Sequence, residues 1–322
     1  MILRIAAIVL AWTFFILPAQ AATQSFHTWL ADLRQEAIAS GISSSLVHEA
    51  LPDTLEVNER ILRFDRRQPE STISFEQYKK NVLTPARIRE GRELMRKHAH
   101  LLHEIGKTYG VDPEYIVALW GIETNFGKNT GGFEIIPALA TMAYDGRRSA
   151  FFRDELLKAL KIVDEGHIPL HQMKGSWAGA MGQCQFMPSS FIRYAQDYNG
   201  DGRRDIWNTK ADVFASAAAY LGKSGWRRGE AWGHHIILPK DFDNKLLGIN
   251  VQKKLHVWKT SGLRLANGNP LPGTPDETVS IMQPGGEGYK AYAVYNNYRI
   301  ITLWNKSSYF ATTVAMFADQ LK

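Results

Sequence analysis

The sequence predicts a mainly α-helical protein of the α+β class, with a small β-containing region toward its C-terminal end. Apolar residues recur at helical spacing through most of the chain before about residue 230, where no strong strand pattern appears. After Trp232 glycine and proline become more frequent, and short β-like runs appear at 235–238, 278–282 and 289–295. We therefore expect 239–284 to form a small mixed or β-containing appendage.

Capping residues place the helices along the chain. Thr84-Pro85 and Asp112-Pro113 both put proline in the first turn behind an N-cap residue, which is a strong start signal. A single unbroken helix is predicted from Thr84-Pro85 to Gly110. In chain order the predicted helices are 23–41, several short ones to about 65 and, after a break at 69–72, those at 84–110, 112–123, 151–165, 212–223 and one from about 308.

The composition is that of a folded globular chain. The 322 residues are 45% hydrophobic and 22% charged, which excludes a largely disordered, collagen-like or polytopic membrane protein. The net charge of +6 favours an anionic partner without identifying it. Cys184 is the only cysteine, so an intrachain disulfide and a thiolate metal cluster are both excluded.

Residues 1–21 have the pattern of a secretory signal peptide. Arg4 supplies the positive charge, 5–17 form an apolar run, and Ala19-Gln20-Ala21 is a small-x-small cleavage site. The run is shorter than the roughly 20 residues that span a bilayer, and an uncleaved anchor is the alternative. We expect the mature chain to begin near Ala22 and to carry no lipid anchor, because no cysteine follows the run.

Glu123 is the first candidate for chemistry. It lies in the last turn of a predicted apolar helix and is flanked by Trp120, Ile122 and Phe126. The negative end of the helix dipole and the loss of water both disfavour the carboxylate, so its pKa should rise. A rise of about 2 units corresponds to roughly 2.7 kcal/mol, and a carboxyl that keeps its proton can protonate a leaving oxygen. The alternative is a solvated Glu at a helix end.

A stretch of small residues at 174–190 is the second candidate. Glycine and alanine let a backbone approach a ligand closely, and Ser176, Gln183 and Gln185 offer the hydroxyl and amide groups that sugars need. Phosphate binding is disfavoured because no Gly-Lys-Ser/Thr pattern is present. Close packing between helices is the alternative use of the small residues.

The third candidate is an acidic loop. Asp197, Asn199 and Asp201 stand at positions 1, 3 and 5, with Gly202 at position 6, as in the first half of a calcium loop. The twelfth position, usually Glu, is Asn208. The alternative is an Asp/Gly turn that is stabilised by its own side-chain hydrogen bonds.

Other patterns are interpreted as structural. His98, His100 and His103 have no carboxylate that would complete a zinc motif. The glycine-rich segment 285–288 does not connect a strand to a helix, so it does not predict a dinucleotide site. Paired arginines are interpreted as solvated faces, at Arg147-Arg148 and Arg227-Arg228.

Four motifs in a fixed order point to one family. They are Glu123–Gly127, Gly175–Ser190, Asp197–Trp207 and Asn297–Ser307. Together they resemble the lytic murein transglycosylase B family, over about 26–321. The resemblance implies a lysozyme-like core with a helical flanking region and a small β-containing subdomain. The implied regions are a signal peptide at 1–21, a helical region at 22–104, a catalytic core at 105–235 with a calcium-type loop at 197–212, a β-containing subdomain at 236–290 and a returning C-terminal segment at 291–322.

The resemblance also implies an activity. Members of the family cleave the β-1,4 bond between N-acetylmuramic acid (NAM) and N-acetylglucosamine (NAG) in peptidoglycan and leave a 1,6-anhydro end. The implied protein is a soluble periplasmic monomer that binds glycan strands, with no nucleic acid and no membrane anchor. No cofactor is implied for the chemistry, and calcium is implied only as a structural ion.

Site residues are carried over position by position. Glu123 stands at the catalytic acid position. Residues that match positions near the glycan are Tyr78, Phe126, Ser176, Gln185, Trp304 and Asn305. Residues that match the calcium loop are Asp197, Asn199, Asp201, Arg203 and Asp212. Phe126 and Trp304 replace other aromatic residues of the family, so we expect altered sugar stacking with activity retained.

A single Glu implies help from the substrate, because an ordinary glycosidase uses two carboxyl groups. The hypothesis is that Glu123 protonates the glycosidic oxygen while the 2-acetamido oxygen attacks C1, and then takes a proton from the C6 hydroxyl. The alternatives are a muramidase-type hydrolase and a non-catalytic peptidoglycan-binding protein. Nucleic-acid binding is suggested by the basic charge alone and is disfavoured by the signal peptide.

Overall fold

The structure is a computed structural model that describes residues 24–66 and 73–322. The predicted signal peptide at 1–21 and the predicted break at 69–72 lie outside the described residues. Within these two ranges, no helix is both long and apolar enough to cross a membrane.

Helices make up most of the described chain, as the apolar spacing predicts. They are α1 (Phe26–Ala39), α2 (Ser44–Ala50), α3 (Glu59–Arg66), α4 (Phe75–Val82), α5 (Pro85–Lys97), α6 (Ala99–Tyr109), α7 (Pro113–Thr124), α8 (Ile135–Tyr144), α9 (Ser149–Asp164), α10 (Pro188–Tyr194), α11 (Lys210–Lys223), α12 (Leu255–Thr260), α13 (Asn296–Trp304) and α14 (Ser308–Leu321). The helix α8 was not predicted, because it is buried on nearly every face and shows no polar stripe.

The predicted single helix over 84–110 is wrong. The chain forms α5 and α6, which meet at His98, where the backbone (φ −107°, ψ 17°) leaves the helical region. The His98 ring packs edge-on against Trp120 and Phe214, with ring centroids 6.4 and 5.4 Å apart. This packing between distant parts of the chain favours the turn, and local apolar spacing does not report it.

Two antiparallel sheets complete the fold. The first pairs β1 (Phe133–Glu134) with β2 (Lys174–Gly175), within the helical body. The second has the strand order β4-β6-β7-β3-β5 and includes all three predicted β-like runs. Its strands are β3 (Gly233–Ile237), β4 (Lys253–Lys254), β5 (Arg264–Leu265), β6 (Thr278–Met282) and β7 (Ala291–Val294).

The main hydrophobic core is built around α7. Its residues from Tyr115 to Gly121 are buried, and α5, α6, α11 and α14 pack against it. A smaller second core lies in the β-containing region around Trp258, whose indole N–H donates to Val279 O at 3.0 Å. The end of α7 is therefore held on several sides, which matters for the residue in its last turn.

The predicted region boundaries do not coincide with breaks in this core. The boundary at 104/105 lies inside α6, and the boundary at 235/236 lies inside β3. One hydrophobic cluster contains buried residues from α1 through to α14. The proposed helical region 22–104 therefore shares its core with 105–235.

Arg147 and Arg148 are exposed, as expected for a solvated face, but they also bind a buried acid. Both guanidinium groups form ion pairs with Asp65, whose side chain is only 1% exposed. A buried carboxylate is tolerated when it is paired in this way, and removing one partner would leave an uncompensated charge. The two arginines thus attach α3 to the start of α9.

Candidate active site

The last turn of α7 carries Glu123, and the chain reverses direction directly after it. Asn125, Phe126 and Gly127 all have positive φ angles, of 50°, 60° and 81°. The Phe126 N–H donates to Trp120 O at 3.2 Å and closes the helix end. A left-handed conformation costs roughly 1–2 kcal/mol for each non-glycine residue, so packing must hold this reversal.

Gln183 supplies much of that packing. Its Oε1 accepts hydrogen bonds from Trp120 Nε1 at 2.8 Å and Lys210 Nζ at 2.7 Å, and its Nε2 donates to Trp207 O at 2.6 Å. A Cβ on Gly127 would lie 2.2 Å from Gln183 Oε1, so only glycine fits there. Gln183, predicted as a group that could bind sugar, is instead buried and fully engaged in holding the site together.

The Glu123 carboxyl has one hydrogen-bond donor among the described residues. Trp304 Nε1 lies 2.8 Å from Glu123 Oε1. Burial raises the pKa of Glu123 to about 7, and the Trp304 hydrogen bond acts weakly in the opposite direction. Near neutral pH both the protonated and the ionised form of this carboxyl are therefore populated, so the group can both donate and accept a proton.

No second carboxyl acts on this group within the described part of the chain. Neighbouring acidic side chains make no contribution to the pKa shift of Glu123, which burial alone produces. The Cys184 thiol lies close enough for the charge of Glu123 to help raise its pKa, but burial is the larger cause. That thiol donates to Val213 O at 3.3 Å and is not a nucleophile candidate.

Trp304 is the last residue of α13, and Asn305 directly follows it. The Trp304 ring packs against Phe186 and Tyr220, with centroid distances of 5.2 and 4.7 Å, and this holds its indole N–H toward Glu123. Asn305 is half-buried, and its Oδ1 accepts the Ser307 N–H at 2.9 Å. The structure thus brings Trp304 directly to the carboxyl, whereas Asn305 shapes the turn into α14.

Phe126 was predicted to stack on sugar, and its burial argues against that role. The side chain is 5% exposed and packs against Trp120 and Phe317, with ring centroids 5.4 and 6.3 Å away. Neither face of the ring is open to a ligand. The residue instead fills the core beneath the last turn of α7.

Ser176 and Gln185 lie on the small-residue loop that leads from β2 to α10. Ser176 Oγ accepts the N–H groups of Ala178 and Ala180 at 3.3 and 3.0 Å. Gln185 has a positive φ of 49°, and its Nε2 donates to Thr130 O at 3.1 Å. Both side chains are half-buried. This loop reaches the acid through Phe186, which contacts Trp304.

Tyr78 lies on α4, and its ring centroid is 5.8 Å from that of Tyr309 on α14. Nearby, Arg87 Nε donates to Asn125 Oδ1 at 3.3 Å, directly after the end of α7. Burial lowers the pKa of Arg87, and Glu90 and Tyr78 act in the opposite direction. Sequence reasoning missed Arg87 because no local motif distinguishes it from other arginines on an exposed helix face.

The predicted calcium loop forms a tight turn whose carboxylates are bonded to the backbone. Asp197 accepts the N–H groups of residues 200–202 at 2.8, 3.1 and 2.8 Å. Asp212 is completely buried, and its two oxygens accept the N–H groups of Tyr198 and Asp205, each at 2.8 Å. These bonds stabilise the turn with the loop's own groups.

The remaining loop residues interact with one another. The Asn199 amide donates to Asp201 at 3.0 Å, and the Arg203 guanidinium lies 3.9 Å from the same carboxylate. In the part of the chain that is described, no three His, Cys, Asp or Glu side chains are arranged to hold a metal ion. The oxygen donors fit a hard cation in type, but such an ion would compete with hydrogen bonds that already exist.

The helical core, the short β1–β2 pair and a single proton-holding acid at the end of a buried helix define a lysozyme-like transglycosylase domain. The chain belongs to this family: the model for the transglycosylase SLT domain matches residues 25–319. The match thus includes nearly every described residue, and it includes Glu123, Ser176, Gln185 and Trp304.

Individual relatives agree with the family assignment. The membrane-bound lytic murein transglycosylase B of Escherichia coli is 33% identical over 244 residues, which are 74% of this chain and 64% of that protein. SltB3 from Pseudomonas aeruginosa, solved in complex with NAG-NAM-pentapeptide, superposes with a TM-score of 0.88 at 40% identity, covering 92% of this chain and 80% of that one. The lytic transglycosylase Slt35 of E. coli, solved in complex with calcium, superposes with a TM-score of 0.80 at 26% identity, covering 91% and 92%.

Proposed function

We propose that this chain is a peptidoglycan lytic transglycosylase that cleaves the β-1,4 bond between NAM and NAG without water. The observation that carries the proposal is Glu123, a carboxyl with a pKa of about 7 that receives one indole hydrogen bond and has no acidic neighbour that shifts it. SltB3, the 40% identical relative, has also been solved with NAG-anhNAM-pentapeptide, which contains the anhydro sugar that such a reaction forms.

The first step needs a proton donor. Protonated Glu123 gives its proton to the glycosidic oxygen, and the bond from that oxygen to C1 breaks. The carbonyl oxygen of the substrate's own 2-acetamido group forms a bond to C1 as the leaving group departs. Trp304 occupies Glu123 Oε1, so the proton is assigned to Oε2, the oxygen that makes no hydrogen bond to a described residue.

The second step needs a base, and the same group supplies it. The Glu123 carboxylate takes the proton from the C6 hydroxyl, O6 bonds to C1, and the bond from the acetamido oxygen to C1 breaks. The protons balance, because Glu123 is protonated at the end of the reaction as it was at the start. Trp304 covers one oxygen of the carboxyl, and a bound glycan would exclude more of the water around it, which would favour attack by O6 over attack by water.

The products of digestion test this proposal. Purified mature chain should release anhydro-muropeptides from isolated sacculi, each lighter by one water than a hydrolysed product in mass spectrometry. Products of hydrolysed mass would support the muramidase-type alternative. Binding to sacculi without any released fragment would support the non-catalytic alternative.

We also propose a structural calcium ion in the 197–212 loop and a periplasmic location. The calcium proposal is supported by the oxygen-rich set of Asp197, Asn199, Asp201 and Asp212 and by the calcium complex of the relative Slt35. Arg203 would contribute its backbone carbonyl, since its side chain is cationic. The location follows from the signal-like residues 1–21 and from the wall substrate. The reaction itself requires no cofactor.

A further inference from the structure

Arg60 is a cation without an ionic partner among the described residues. It lies in the first turn of α3, and its guanidinium carbon is 5.4 Å from the centroid of the Phe64 ring and 5.3 Å from that of Phe133. Glu134 lines the same surface but forms no ion pair with it. The guanidinium is therefore positioned by two aromatic rings while its N–H donors remain available to a ligand.

The backbone beneath Arg60 is fixed. The Asn58 side chain accepts the N–H groups of Arg60 and Ile61 at 3.0 and 3.3 Å, which caps the start of α3. The Asn58 N–H in turn donates to the Thr141 hydroxyl on α8 at 3.1 Å. The guanidinium thus projects from a rigid turn, and a ligand would not have to order it first.

One exposed and two half-buried aromatic rings lie on the surface around this cation. Phe64 is 38% exposed, and its ring centroid lies 6.1 Å from Phe133 and 6.3 Å from Trp177. Beside them is an open depression of about 440 Å³ that Arg60 and Phe133 help to line. Partly exposed aromatic side chains grouped beside a cation are more typical of a binding surface than of a solvated face.

The cluster is continuous with the candidate active site. Phe133 on β1 pairs with Gly175 on β2, and Trp177 directly follows Ser176. A hydrogen bond from the Gln185 side chain to the backbone of Thr130 also joins the segment before β1 to the loop after β2. A ligand that lies along Ser176 and Gln185 would therefore reach Arg60 at the edge of the site.

We propose that this arginine–aromatic surface, made of Arg60, Phe64, Phe133 and Trp177, binds a carboxylate of the stem peptide that the NAM sugar carries. The proposal rests on the proposed function, because it takes peptidoglycan as the substrate. Guanidinium groups match carboxylates with two parallel hydrogen bonds, and the rings cover the apolar parts of a short peptide. A glycan whose lactyl carboxyl groups are blocked as amides carries no charge that would require Arg60.

The test measures binding, so it does not depend on turnover. Full-length mature chain carrying Glu123→Gln is titrated with soluble NAG-NAM-pentapeptide and with a peptide-free NAG-NAM disaccharide whose lactyl carboxyl is blocked as the methylamide. Adding Arg60→Gln should weaken binding of the peptide-bearing ligand roughly three- to tenfold, as expected for one charge-assisted contact near the surface. Binding of the peptide-free ligand should not change. Arg63→Gln, an exposed arginine on the same helix, is the matched control and should change neither value.

Three outcomes would overturn the proposal. The first is equal weakening for both ligands, which would mean that the surface binds sugar rings. The second is no weakening for either ligand. The third is the same loss of affinity with Arg63→Gln as with Arg60→Gln. If the chain failed to release anhydro products but still showed the peptide-dependent loss, the binding proposal would stand and the catalytic one would fall. Thermal unfolding of each variant confirms that the comparison is made between folded proteins.

Discussion

Glu123 and Asp212 are both desolvated carboxyl groups that differ in the hydrogen bonds they accept. Glu123 is half-buried, and Asp212 is completely buried. Burial raises the pKa of each. At Asp212 the backbone N–H groups of Tyr198, Asn199 and Asp205 oppose that rise, whereas at Glu123 only the indole of Trp304 does. The supply of N–H donors thus separates an acid that supports a turn from an acid that can exchange its proton near neutral pH.

The largest effect is expected from removing the exchangeable proton. Glu123→Gln keeps the size and the contact with Trp304 but cannot donate or accept a proton, so turnover on sacculi should fall about 100- to 10,000-fold. Glu114→Gln is the matched control, because Glu114 lies in the first turn of the same helix and burial also raises its pKa. Near-normal release of anhydro-muropeptides by Glu123→Gln would refute the catalytic role.

The same variant should be more stable than the native chain at alkaline pH. Folded Glu123 keeps a proton to about pH 7, whereas the unfolded chain loses it near the ordinary value of 4.5. Native stability therefore falls as pH rises between these values, by up to about 3 kcal/mol. Gln avoids this loss, so denaturant unfolding should show a stabilised variant at pH 8 and no difference at pH 4. Equal stability at both pH values would mean that the carboxyl is not desolvated.

The substitution Asp212→Asn tests how much the other carboxyl contributes to stability. An amide can accept only on one side, so one backbone N–H group would face an NH₂ group. We expect a loss of about 1–3 kcal/mol in unfolding free energy when calcium is chelated. Calcium should raise the stability of the native chain but not that of the variant. Glu287→Gln, an exposed acid in the β-containing region, is the control. Calcium stabilisation that survives in Asp212→Asn would remove this residue from the proposed ligand set.

The smallest change is expected from Trp304→Phe. Its indole N–H lowers the pKa of Glu123, so losing it should raise that pKa. The alkaline limb of the rate profile should then move to higher pH, which a profile of kcat against pH measures. A shift toward lower pH would contradict the assigned direction of this hydrogen bond.

Local patterns predicted part of this arrangement. The apolar run that ends at Glu123 predicted both the helix and the raised pKa, because both depend on neighbours in the sequence. The role of Gln183, the burial of Phe126 and the ion pairs of Asp65 were not predictable, since each depends on residues at least 60 positions away or on a second layer of packing. The break at His98 was missed for the same reason.

Gly121 on α7 and Gly91 on α5 allow Phe126 and α14 to approach these two helices closely. A Cβ on Gly121 would lie 2.6 Å from the Phe126 ring and 2.8 Å from that of Phe317, and one on Gly91 would lie 2.7 Å from Leu321. Alanine at 121 would therefore require smaller side chains at both 126 and 317, whereas alanine at 91 would require a different side chain at 321.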